Sequence, residues 1–495
     1  MKKNIRTEET KEKKRIARQN MMLNESVGPL IIKMAIPTMI SFLITAIYSL
    51  ADTFFVSMLG TNAASAVGVN TSLDQIIMMA GSMLAVGSAS YISRLLGAGD
   101  KDKASEVHST SWFSALIFGV VILVFGKIFI GPLVDGLGAT PACKQYSMDY
   151  ATYVLYAAPF MATSFVMNQS LRSEGSPMLS TIGMGAGGII NCILDPFFIF
   201  KEVPIFGLTL PGLGLEVAGA SIATAISKVI SCMILLFPYL AKTTNISLSI
   251  KKINYVWKDV KEVVSIGSSS LFRTGLSIVA AVILNHIAGG ISDSLLAAVG
   301  VTTKIIMLPF GFLLGFGIGY QPVAGFAWGA KNYSRLRKVY TFAWKAAILG
   351  ATVMGLLMCI FAKPIVGLFS VNDAELIKWG SLILIFQCAV LPAQAWVMIV
   401  NMLCSALGEA KGAIILALSR QGICFIPIVF PLAMFFNEMG VCMSQGLADL
   451  ISVIIAIPIL KNVKKMIEKA EEECCKTKIQ NTNPRFAGIT KDNFD

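Results

Sequence analysis

Apolar runs long enough to cross a bilayer, about 20 residues each, recur along nearly the whole chain. Twelve can be placed, at roughly residues 30–57, 66–93, 107–130, 148–170, 178–200, 217–240, 263–288, 295–326, 340–362, 379–403, 412–436 and 440–460. They leave no room for a soluble catalytic domain. With 55% hydrophobic and 14% charged residues the composition also excludes a soluble fold. No cleavable signal peptide is visible, because a basic, polar head of about 28 residues precedes the first run. That first span is expected to act as its own insertion signal.

Orientation follows from the distribution of positive charge. Loops after even-numbered spans carry Arg94, Lys101, Lys103, Arg172, Lys251, Lys252, Arg335 and Arg337 among others. Loops after odd-numbered spans carry little beyond Lys144, Lys201 and Lys378. Both termini are therefore expected in the cytoplasm. The net charge of +12 is accounted for by these loops and the basic head. Basic residues dispersed among membrane loops make a poor nucleic-acid surface. The ten cysteines lie mostly in or beside apolar runs and read as small hydrophobes, not as a disulfide framework.

The chain is internally duplicated. A shift of 232 positions places Ala66-Val67-Gly68-Val69 on Ala298-Val299-Gly300-Val301, and Gly97-Ala98 on Gly329-Ala330. The same shift places Trp112 on Trp344 and Pro132 on Pro364, in a chain with only six Trp. Six spans per half is an even number, so both halves enter the membrane in the same sense. Parallel repeats of this kind are related by an axis along the membrane normal, with a substrate cavity between them. The expected fold is thus an all-α membrane protein of twelve transmembrane helices, in two parallel six-helix repeats around a central cavity. The segments are a basic N-terminus (1–28), an N-lobe (29–240), an inter-lobe loop (241–262), a C-lobe (263–460) and a cytoplasmic tail (461–495). The inter-lobe loop is expected to include a short interfacial helix, and the tail to begin as a charged helix and end in disorder.

Two acids stand inside apolar spans of the first half: Asp52 in span 1 and Asp195 in span 5. An ionisable residue at that depth is costly and marks an ion or substrate path. Asn191 lies four residues before Asp195, and Tyr48 four before Asp52, so each pair stacks on one helix face. Thr224 in span 6 and Asn168 in span 4 offer further oxygens, and Pro37 favours a kink in span 1. Such oxygens suit a hard cation such as Na⁺. Two carboxylates sharing a low-dielectric site also favour proton uptake. The residue types leave both ions open.

The Asp fifteen residues after Pro37, the Asn-x-x-x-Asp-Pro of span 5 and the Gly-Ala-x-Ile-Ala-Thr of span 6 resemble the multidrug and toxic compound extrusion (MATE) family. The likeness covers about residues 25–460 and is greatest to the DinF-type branch. It implies a secondary antiporter that exports cationic amphipathic drugs in exchange for H⁺ or Na⁺ by alternating access. The cation site would be Asp52, Asn191, Asp195 and Thr224, with Tyr48 and Asn168 lining the cavity and Pro37 as the bending point. No enzyme activity, cofactor or metal beyond a coupling Na⁺ is implied. The expected setting is a bacterial plasma membrane, and the expected state a monomer. NorM-type members place acids in spans 7 and 10. Here those spans carry Arg273, Asn285, His286, Gln387 and Gln394 instead.

A lipid-linked oligosaccharide flippase of the same superfamily is the rival reading. Arg273, Lys304 and Arg420 facing one cavity would favour it; otherwise they read as paired or snorkelling cations. Asp74 and Asp449 lie near span ends and read as solvated. His108 and His286 alone cannot assemble a zinc-hydrolase cluster.

Overall fold

The computed structural model describes residues 2–205, 208–369 and 373–482. The basic head forms a helix, α1 (Lys2–Asn24). Its Lys, Glu, Arg and Gln content gives it good helix propensity. The first repeat follows as α2 (Val27–Ser57), α3 (Thr61–Ala98), α4 (Lys101–Ile128), a short α5 (Ile130–Gly136), α6 (Lys144–Ser173), α7 (Pro177–Ile199) and α8 (Glu216–Leu240). The polar stretch between α7 and α8 holds a small antiparallel hairpin, β1 (Glu202–Ile205) with β2 (Leu208–Pro211). The second repeat is α9 (Trp257–Ile291), α10 (Asp293–Gly329), α11 (Tyr333–Ile360), a short α12 (Ala362–Gly367), α13 (Ala374–Ala389), α14 (Leu391–Leu407), α15 (Ala410–Leu418) and α16 (Ile426–Thr482). A wide π turn, Ser419–Phe425, joins the last two.

Nine described helical runs are long and apolar enough to cross a membrane, or ten when α13 and α14, bent by 49°, count as one span. The run Ala410–Lys476 contains two of the expected spans, because the backbone breaks at Asn437 (φ 47°, ψ −125°). α6 is 30 residues long but less apolar, since its buried face carries Tyr150, Thr163, Asn168, Gln169, Ser170 and Arg172. With those two included, the twelve-span fold is complete. The chain is a multi-pass membrane protein. All ten cysteines are free, and most are buried.

One boundary differs from the sequence reading. The inter-lobe loop carries one short helical turn, Ile250–Lys252, and α9 starts already at Trp257, within the expected loop. The charged tail simply continues α16 to Thr482. The disorder expected beyond it falls on residues 483–495, outside the described residues.

The repeats meet where α9 packs on α3 and α10 packs on α2 and α3. The contact is symmetric in the 232-residue register. A Cβ on Gly97 would lie 2.4 Å from the Phe326 carbonyl, and one on Gly329 would lie 1.9 Å from the Arg94 carbonyl. Positions 94 and 326 are themselves related by the shift of 232, as are 97 and 329. The Gly-Ala element shared by the two halves is therefore a pair of crossings at which only glycine lets the backbones touch.

Those crossings sit at the end of the molecule that carries the basic loops. There the repeats are also tied by polar contacts. Arg94 pairs with Glu262 at 2.8 Å, and Lys103 with Asp259 at 2.6 Å. Tyr91 donates to Asp259 at 2.9 Å, and the Ser90 hydroxyl donates to the Ser405 carbonyl. The deepest of these contacts is Ser270 to Ser82, at 3.3 Å. The two repeats are thus held together at the basic end.

Candidate cation and substrate site

The site is assembled from five helices of the first repeat. Asn191 and Asp195 project from successive turns of α7, as their spacing of four demands. The Asn191 amide donates to Asp195 Oδ1 at 2.9 Å and to Thr224 Oγ1 of α8 at 3.2 Å. Asp195 is fully buried, Asn191 3% exposed, Asp52 and Thr224 each 9% exposed. Asp52 of α2 lies within the electrostatic field of Asp195. Tyr150 of α6 stands between the two halves of this group, its hydroxyl beside both the Asp52 carboxylate and the Thr224 hydroxyl.

Four buried oxygens in this group have no hydrogen-bond partner: Asp52 Oδ1, Asp74 Oδ1, Asn191 Oδ1 and Asp195 Oδ2. Buried acceptors are normally satisfied, so four orphans in one polar cluster call for a donor or a cation. No three His, Cys, Asp or Glu side chains converge on a single metal position among the described residues. A hard cation would therefore draw on amide and hydroxyl oxygens as well, which the donor set provides. A proton suits the same oxygens.

Beside Tyr150, two members of the site lie outside the sequence reading, Asp74 and Lys228. Asp74, read as solvated, has a buried Oδ1 and acts electrostatically on Asp52. It stands well inside the 38-residue α3, which begins earlier and runs longer than the apolar run suggested. Lys228 of α8 donates to the Tyr48 hydroxyl at 2.9 Å, with its ammonium 4.9 Å from the ring centroid. It also lies in the field of Asp74 and Asp52. Its signal was available: a lysine in the apolar stretch ISKVISCMIL, four residues after Thr224.

Other expected residues take different places. Tyr48 belongs to the site through Lys228. Asn168 donates to the Ser180 carbonyl at 3.2 Å. Ser180 is fifteen residues before Asp195 on α7, about 22 Å along the axis, so Asn168 braces α6 against α7 away from the acids. α2 runs through Pro37 as one helix. The Pro37 carbonyl accepts from Ser41 at 3.2 Å and from Thr181 of α7 at 2.7 Å.

Of the second repeat's cations, Arg273 lies within the field of Arg420. Lys304 is exposed on α10. Arg420 pairs with Asp449 at 2.9 Å, and Asp449 is 2% exposed, so its reading as a solvated residue is corrected.

Comparison with known proteins agrees with this architecture. A family model, MatE, matches residues 37–197 and 269–431. The chain is 26% identical over 440 residues to the multidrug export protein MepA of Staphylococcus saprophyticus, covering 88% of this chain and 94% of that one. It is 27% identical over 435 residues to the MepA of Staphylococcus haemolyticus, covering 88% and 93%. Among solved structures, an outward-facing multidrug resistance MATE family transporter of the MOP superfamily superimposes with a TM-score of 0.84 at 24% identity, over 90% of this chain and 98% of that one. A MATE in complex with MaL6 superimposes with a TM-score of 0.84 at 23% identity, over 91% and 99%.

Proposed function

Because the chain belongs to the MatE family, we propose that it is a secondary antiporter that exports amphipathic organic cations in exchange for H⁺ or Na⁺. Relatives named as multidrug export proteins cover most of its length. It is a transporter, not an enzyme. The observation that carries the reading is the set of four unpartnered buried oxygens around Asp52, Asp74, Asn191 and Asp195. Their charge attracts a cation, and a proton or Na⁺ taken up there removes that attraction. Drug and coupling ion then compete, which is the condition for exchange.

In this reading the lobes, 29–240 and 263–460, rock about the α3–α9 and α10–α2 contacts, in a plasma membrane with both termini in the cytoplasm. In this reading the basic end is the cytoplasmic end, and its closure leaves the outer side as the route to the site. Pro37 lets α2 bend, and the Ser41 and Thr181 hydroxyls on its carbonyl hold one of the two shapes. The chain acts as a monomer.

The test is efflux of a fluorescent organic cation from proteoliposomes, driven separately by imposed pH and Na⁺ gradients. Asp52→Asn and Asp195→Asn are each expected to abolish gradient-driven efflux while inserting normally. Wild-type rates in both variants would overturn the assignment, and the gradient that drives the wild type identifies the ion.

A further inference from the structure

The second repeat carries a charge imbalance that the cation site does not use. Arg273, on α9, stands one turn from Ser270, whose hydroxyl meets Ser82 of α3 across the lobe boundary at 3.3 Å. The guanidinium's hydrogen bond is to Ser270 Oγ, at 3.3 Å. Among the described residues no carboxylate forms an ion pair with it.

Its basic neighbour is Arg420, in whose field it lies. Arg420 is already committed. Its Nε donates to Asp449, and its two Nη groups face the amide oxygen of a correctly turned Gln394 at 3.0 and 2.8 Å. Its guanidinium stacks over Phe310 at 5.0 Å. Asp449 is occupied as well, accepting from Gln445 at 3.2 Å. The π turn that carries Arg420 packs on α9: a Cβ on Gly422 would come within 2.8 Å of Leu276. Such turns recur at functional sites.

The cluster thus holds two guanidiniums and one carboxylate inside membrane-spanning helices, beside the boundary where the lobes part. A lone cation at that depth is expensive unless something neutralises it. A guanidinium matches the planar, two-oxygen face of a carboxylate or phosphate.

We propose that Arg273 is the docking residue of a second site, which binds the oxyanion of a transported amphiphile, with Arg420 held beside it by Asp449 and Gln394. This rests on the export reading and narrows it. The favoured substrate carries a cationic end for the first repeat's carboxylates and an anionic end for Arg273. A lipid phosphate offers the same oxyanion chemistry, and the test separates the two sources.

Binding to purified protein is measured for a matched pair, an amphiphilic amine bearing a carboxylate and its methyl ester, with wild type, Arg273→Gln, Arg273→Lys and Ser270→Ala. The expected result is a loss of at least about tenfold in affinity for the carboxylate by Arg273→Gln, with the ester unchanged. Arg273→Lys recovers part of the loss, and Ser270→Ala, which only loosens the guanidinium, gives a smaller one. Equal losses for both ligands, or no loss for either, overturn the proposal. Ester binding also reports that each variant is folded. Should Arg273→Gln fail to fold, Ser270→Ala decides: an unchanged carboxylate preference overturns the proposal. Competition with short-chain phosphatidylglycerol supplies the second arm. Displacement of the acid but not the ester, at concentrations as low as the acid's own, assigns the site to lipid and overturns the substrate role. Failure of both ligands to bind wild type at all sinks the export reading instead.

Discussion

Lys228 changes what the acids of the first repeat can do. Asp52, Asp74 and Asp195 without it would form an acidic pocket that holds any cation tightly. With its ammonium on Tyr48, the pocket already contains one tethered positive charge, and an arriving cation meets a weaker field. Lys228→Met is therefore expected to tighten binding of an organic cation by about tenfold or more and to slow its release into the external medium. Equilibrium binding and efflux rate, measured on the same variant, should move in opposite directions. An unchanged affinity would remove Lys228 from the electrostatics of the site. Asp52, Asp195 and Asn191 were legible because polar residues four apart in an apolar run have one geometric meaning. Lys228 follows the same rule and was overlooked. Tyr150 could not be found that way: a tyrosine in a span is ordinary until another helix shows what its hydroxyl faces.

At the scale of elements, α1 was the least legible part of the chain. Its residues read only as a basic head, because charge composition says nothing about where a helix docks. In the structure Arg15 donates to the Lys242 carbonyl at 2.8 Å and Arg18 to the Thr243 carbonyl at 2.9 Å. From the other repeat, Arg335 donates to the carbonyls of Met22 and Glu25, at 3.1 and 2.7 Å. α1 thus straps the basic end of both repeats. Beneath it Glu174, fully buried, accepts from the Asn245 amide at 2.6 Å and lies 3.5 Å from Arg18. Burial pushes the Glu174 carboxyl up from 4.5 to about 7, with Arg18 opposing. A carboxyl whose pKa is higher folded than unfolded binds its proton more tightly in the fold. Its contribution to stability is then complete below about 4.5 and is lost as pH rises through about 7. The thermal midpoint of the detergent-solubilised protein should fall across that window, and Glu174→Gln should flatten this part of the slope. A wild-type profile retained in the variant would assign the titration elsewhere.

The whole molecule is a two-state device, and the state seen is held by few contacts. The pseudo-symmetric crossings at Gly97 and Gly329 permit close approach but supply no directional bond. The charged ties between the lobes at the basic end are Arg94–Glu262 and the Lys103–Asp259–Tyr91 group. Glu262 is 35% exposed and Arg94 15% exposed, so the pairs are partly screened and each is worth about 1 kcal/mol. That is small for folding but large for a conformational balance, in which ~1.4 kcal/mol shifts populations tenfold. The double variant Asp259→Asn, Glu262→Gln should therefore leave the fold intact and open the basic end in a larger fraction of molecules. Spin labels at Asp102→Cys, which is 94% exposed, and Ser334→Cys report it, in a background where Cys474 and Cys475 are Ser. The expected outcome is a longer second distance that gains population in the variant, and gains further when the coupling ion is withdrawn. The logic is differential affinity: a ligand moves the balance only by what it prefers in one state over the other. The ties at one end and the ion site deep in one repeat are linked through α3, which carries Asp74 in the site and Tyr91 and Arg94 at the ties. A single unchanged distance in wild type and variant, with and without ion, would mean that these charged pairs do not hold the closed state.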